Sequence, residues 1–198
     1  MKRLIILSVI VILVLSGCVV TKNDDDYFTL NIINEAKKRI LEEYPEEELH
    51  FYEFTGGIAP ESSPESNIGE HQKDGGAKDI DDLAWWQFVF GCGDNLSKTA
   101  IITKIDGEWQ QPEIYTEIWG DDVIFDTEYI RVDLEDAIKI LNVYIWQNTP
   151  CDVFDYVVFR HILNAEVTEP YYIFTIAPNQ YVNVGAITGA ILPDVKKQ

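Results

Sequence analysis

The segment DLEDAIKILNVYIWQN, Asp133 to Asn148, reads as an amphipathic helix from its spacing alone. Leu134, Ala137, Ile138, Leu141 and Ile145 recur at three- and four-residue steps, which places them in one apolar stripe facing a core. Asp133 suits the N-cap. Glu135 and Asp136 fall in the first turn, where the helix dipole favours negative charge. Asn148 and Pro150 close the helix. Strand-like runs follow at Phe154–Leu163, Tyr171–Ile176, Gln180–Val184 and Ala190–Leu192. Pro178-Asn179 and Thr188-Gly189 supply turn residues between them.

The same order occurs earlier in the chain. Ile32, Ile33, Ala36, Ile40, Leu41 and Tyr44 make a helical stripe, with Asn34, Glu35, Lys37, Lys38, Glu42 and Glu43 on the other face. Pro45 ends it, because the residue before a proline is pushed out of the α region. Strand-like runs follow at Leu49–Phe54, Leu83–Phe90 and Thr99–Ile105, the last ending in the hairpin signal Asp106-Gly107. Ile114–Trp119 and Val123–Phe125 read as further strands, split by Gly120-Asp121-Asp122. Helix, strand, strand, strand thus appears twice, at a period of about 100 residues. The expected fold class is α+β: two tandem modules, each one helix packed on an antiparallel sheet of three to four strands. Residues 27–128 form the first module and residues 129–193 the second.

Residues 56–82 interrupt the first module. Ten of these 27 residues are Gly, Pro or Ser, and seven are acidic. The composition predicts a solvated loop. Asp74, Asp79, Asp81 and Asp82 are weak candidates for a hard cation such as calcium, but their spacing is not that of an EF-hand loop, so no metal site is assigned.

Charge narrows the functional classes. The 198 residues carry 34 acidic and 15 basic side chains, a formal charge of −19. A nucleic-acid partner is excluded on that ground, since phosphate binding needs a basic surface. The basic residues begin at Lys2 and Arg3, ahead of the apolar run Leu4–Leu15. Twelve residues are too few to span a bilayer core as a helix, but they suit the apolar region of a signal peptide. Leu15-Ser16-Gly17-Cys18 then resembles the lipobox of prokaryotic lipoproteins. The resemblance implies that residues 1–17 are removed and that Cys18 is lipidated. Residues 18–26 become a polar tether, and the protein sits on the outer face of the cell membrane. The mature chain then carries 13 basic and 34 acidic side chains, a charge of −21. Outside the cytoplasm Cys92 and Cys151 have one possible disulfide between them, or remain two buried thiols.

The segment Leu134-Glu135-Asp136-Ala137-Ile138 is similar to the opening helix of the PepSY family. Val182-Asn183-Val184-Gly185-Ala186-Ile187-Thr188-Gly189-Ala190-Ile191-Leu192 is similar to its closing hairpin, with Gly185 where that family usually has aspartate. Ile105-Asp106-Gly107-Glu108-Trp109 resembles a worn copy of the same hairpin. The resemblance covers about a third of the chain. It implies a small cystatin-like α+β unit that restrains peptidases or assists envelope proteins, and it brings no catalytic residues.

The chemistry-bearing side chains agree. His50, His71 and His161 have no metal-ligand spacing, and no P-loop, dinucleotide fingerprint or nucleophile elbow is present. No enzyme activity and no cofactor are expected. Aromatic residues stand out instead. Trp85 and Trp86 are consecutive in a strand and point to opposite faces, while Tyr115 and Trp119 share a face of the next strand-like run. Trp85, Trp86, Tyr115 and Trp119 are the candidate binding surface. The expectation is a membrane-anchored, extracytoplasmic lipoprotein that binds a protein or peptide without catalysis. The alternative is a lipoprotein that holds a small ligand, a cation or a sugar, on its acidic loop and aromatic surface.

Overall fold

The computed structural model describes residues 27–58, 75–119, 124, 126–149, 152–161 and 168–192. The signal segment, Cys18, the tether, Asp74, Cys151 and residues 59–73 of the acidic loop lie outside the described residues. The protein is mixed α+β, with two α-helices and a nine-stranded antiparallel sheet among the described residues.

Helix α1 spans Phe28–Glu43 and buries Thr29, Ile32, Ile33, Ala36 and Ile40. It starts four residues before the apolar stripe. It ends where the spacing predicts, with the Tyr44 N–H bonded to the Ile40 carbonyl and Pro45 next. Strands β1 (His50–Gly57), β2 (Trp85–Cys92), β3 (Lys98–Ile105), β4 (Glu108–Trp109) and β5 (Glu113–Tyr115) follow. Helix α2 is Leu134–Asn148, with Asp133 as N-cap. Then come β6 (Tyr156–Arg160), β7 (Tyr171–Ala177), β8 (Gln180–Gly185) and β9 (Ile191–Leu192).

The strand order is β4-β3-β2-β1-β6-β7-β8-β9, with β5 also on β3. Each helix is followed by an antiparallel run of strands, as expected. The two runs do not form separate sheets, however. β1 and β6 pair from Glu53↔Arg160 to Gly57↔Tyr156 and join both halves into one sheet. The pairing removes two exposed edges, each a row of unpaired N–H and C=O groups. Both helices lie on one face, over a single core. Phe51, Phe54, Trp86, Phe88 and Phe90 from the first half meet Val157, Phe159, Tyr172 and Phe174 from the second. Rings pack across the join: Phe159 lies 5.2 Å from Phe54 of β1, centroid to centroid, and 4.6 Å from Tyr172 of its own half.

Several strands are shorter than their sequence pattern. Of Ile114–Trp119 only Ile114 and Tyr115 are strand, in β5 with Glu113; the chain bends at residues 116 and 117, where the Glu117 carbonyl accepts from the Thr99 hydroxyl of β3 at 2.6 Å in place of the ladder. Ile124 is in no strand. Phe154 makes an isolated bridge to Ala77 and so ties the end of the acidic loop to the start of β6. The Asp106-Gly107 hairpin is formed, both residues having positive φ (49° and 84°), which glycine adopts freely. Trp109, just beyond it, donates from Nε1 to Glu35 of α1 at 2.7 Å and lies beneath the Lys104 ammonium.

Candidate binding surface

The sheet alternation divides the aromatic pair as expected, but neither ring is available to a partner. Trp86 is 5% exposed and packs in the core against Phe28, Phe54 and Phe88. Trp85 faces away from the helices and is also buried, at 7% exposure. Its neighbours across the strands on that face include Ile105 of β3, while Gly57 separates it from Tyr156 of β6. A large ring in a nine-stranded sheet finds neighbours on both faces, so alternation alone does not expose one of a pair. Tyr115 is exposed at 44%, on the short edge strand β5, and donates to the Glu113 carboxylate beside it. That bond pushes the Tyr115 phenol above its usual value. Trp119 is half-buried beyond the bend. The four candidates therefore do not form one patch.

The acidic candidates have local partners. Asp79 caps the 3-10 turn Ile80–Asp82 by accepting from the Asp81 N–H, and Asp82 accepts from the Lys78 and Asp79 N–H groups. These carboxylates hold the end of the loop in shape. Among the described residues, no group of three or more His, Cys, Asp or Glu side chains is placed to hold a metal ion.

Cys92 is a free thiol at the end of β2, buried in the core. Burial, and then Glu47, push it above the usual thiol range, with Lys98 opposing. Cys151, its possible disulfide partner, lies outside the described residues.

Among the described residues the most exposed large apolar side chain is on α2. Trp146 is 82% exposed, and Val143, one turn earlier on the same face, is 58% exposed. Both fall off the stripe that α2 buries. This is the signal that the sequence carried for them: two apolar residues on the polar side of an amphipathic helix. Their position relative to the chain's start follows from Asp133. Its carboxylate accepts from the Phe28 and Thr29 N–H groups at 2.9 and 2.8 Å, so both helices begin at the point where residue 27 joins the fold. Trp146 lies 13 residues further along α2, about 20 Å away at 1.5 Å per residue.

A cleft of about 310 Å³ opens between α1, the start of β1 and residues near Asp126. Its floor is Ile33, Leu49 and Phe90, and Lys37, His50 and Asp126 stand around it.

Neither a protein-family model nor a curated protein sequence matches the chain. Among solved structures it is similar to a "putative lipoprotein" (CD1622) from Clostridium difficile 630, with 8% sequence identity and a TM-score of 0.49. The alignment covers 87% of this chain and 94% of that one. A likeness at this level carries no functional inference. No helix among the described residues is long and apolar enough to cross a membrane.

Proposed function

We propose that this chain is a lipoprotein, held on the outer face of the cell membrane through Cys18, that binds a protein or peptide partner and performs no catalysis. The anchor rests on the sequence: a basic start, a short apolar run and Leu15-Ser16-Gly17-Cys18. The binding role rests on one observation, the exposure of Trp146 and Val143 on the outer face of α2. Singly exposed apolar residues are ordinary, but these two adjoin on one helix face, and tryptophan is among the side chains most enriched where partners bind tightly. The geometry suits a tethered protein. The nine residues from Cys18 to Asp26 reach at most about 30 Å, and they join the fold at the helix N-termini. Trp146 is carried away from that end. In this reading the two helix-plus-strands halves are PepSY-like units fused through β1 and β6.

Two experiments test this. Cys18→Ala should release the protein from the membrane fraction. A photo-crosslinking residue at position 146 should capture a discrete protein in cells, and one at Glu42, on the exposed side of α1, should not. Retention of Cys18→Ala in the membrane would remove the anchor reading, and identical cross-linking at both positions would remove the binding one.

A second reading has its own observation. The cleft, with an apolar floor and Lys37, His50 and Asp126 around it, suits a small polar molecule with an apolar part, such as a sugar. A melting temperature that rises with such ligands, with no cross-link at 146, would favour it.

A further inference from the structure

The outer face of α2 has an acidic rim. Asn142, one turn before Trp146, donates from Nδ2 to the Lys78 carbonyl at 3.1 Å and pins residues 78–82 alongside the helix. That turn exposes Asp79, Asp81 and Asp82. Asp152 adds a fourth carboxylate, bonded to Lys78 Nζ at 2.9 Å. That contact holds the Asp152 carboxyl below its usual range and the Lys78 ammonium above its own. The backbone N–H bonds of Asp79 and Asp82 satisfy lone pairs without neutralising charge. Lys139, also on this side of α2, is engaged with Asp136 at 2.7 Å. Besides the Lys139–Asp136 pair, four carboxylates and one ammonium thus flank two exposed apolar side chains.

We propose that this face docks a cationic amphipathic segment of a partner protein. Such a segment sets an apolar side chain against Trp146 and Val143 and its lysines or arginines against Asp79, Asp81, Asp82 and Asp152. The inference deepens the binding reading above and rests on it. Charge complementarity selects this occupant. An acidic segment would meet like charge at the rim, and a purely apolar one would leave the rim unanswered. A second copy of this chain, docked through the same face, would set the two acidic rims against each other. The indole face also attracts a cation directly.

The test uses the full chain in non-ionic detergent micelles and two labelled helical peptides, one of leucine and lysine and one of leucine and glutamate in the same pattern. Fluorescence anisotropy should show binding of the lysine peptide only. Trp146→Ala should weaken it by about tenfold or more, the loss typical of a central aromatic contact. Asp81→Asn with Asp152→Asn should weaken it about threefold or more and flatten its salt dependence. Three results would each overturn the proposal: unchanged affinity in Trp146→Ala, equal binding of both peptides, or sedimentation showing a native dimer that Trp146→Ala dissociates. A cross-link at position 146 in cells, with a lysine peptide indifferent to Trp146, would reject this partner chemistry and leave the binding reading standing. Loss of both would reject the two together.

Discussion

Thr29 donates its hydroxyl to Asp133 Oδ1 at 2.7 Å, and the Leu134 N–H donates back to Thr29 Oγ1 at 2.9 Å. The two residues are 104 positions apart. Asp133 also accepts from the Phe28, Thr29 and Leu134 N–H groups, while Tyr27, the N-cap of α1, offers no side-chain cap of its own. One buried carboxylate therefore caps both helices, at the positive ends of both dipoles. Tyr172 of β7 closes the group, 3.0 Å from Thr29 Oγ1 and donating to the Val132 carbonyl. Burial pushes its phenol far above the usual range.

Asp133→Ala should cost about 2–4 kcal/mol, because two helix ends lose their acceptor together. Thr29→Val should cost about 1–2 kcal/mol, because the buried Asp133 carboxylate loses a hydroxyl donor and the Leu134 N–H loses one of its two acceptors. Denaturant unfolding measures both. In a double mutant the losses should fall well short of their sum, since the residues share a network. Simple additivity would show that the two act independently.

Glu169 and Gly185 should behave as a linked pair. The Glu169 carboxylate accepts from the Ile187 and Thr188 N–H groups at 2.8 and 3.0 Å and from the Thr188 hydroxyl at 2.7 Å. A Cβ at position 185 would lie 2.7 Å from that carboxylate. Residues 187 and 188 are the second and third after 185, the amides that an aspartate at 185 would itself cap. Glu169 thus supplies, from the approach to β7, the acceptor that an aspartate at position 185 would provide locally. Glu169→Ala should lower stability by about 1–2 kcal/mol. Gly185→Asp should be harmful beside Glu169 and should restore stability in Glu169→Ala. A destabilising Gly185→Asp in both backgrounds would reject this relationship.

The two tryptophans should separate stability from binding. Trp86→Ala removes a core ring and should cost about 3–5 kcal/mol. Trp146→Ala removes an exposed one and should move stability by less than about 0.5 kcal/mol. A large loss at Trp146 would mean that its ring is packed in the folded protein.

Cys92 should resist modification in the native state and react only on unfolding, because its thiol is buried and held protonated. The folded thiol binds its proton more tightly than the unfolded one, so the stability it contributes is present below the ordinary thiol value, near 8.5, and falls as pH rises through it. Cys92→Ala should flatten that alkaline decline. A native chain modified as fast as an unfolded one would contradict the burial.

Both helices were legible because a 3.6-residue period and a proline or N-cap are local signals. Asp133 was recognisable as the cap of α2, and Asp106-Gly107 as a hairpin. The strand alternation separated Trp85 from Trp86 correctly. It did not tell which faces would be covered, because cover comes from strands and helices distant in sequence. The joining of two expected sheets through β1 and β6, the second cap that Asp133 provides to α1, and the place of Glu169 over Gly185 depend on edges and side chains brought together across 16 to about 100 residues. No local pattern encodes such meetings. The sequence alone determined what each segment prefers to be and, through residues 1–18, where the chain is expected to reside. Only the tertiary structure decided which preferences meet, because hydrogen bonding between strand edges and the burial of rings are properties of pairs in space.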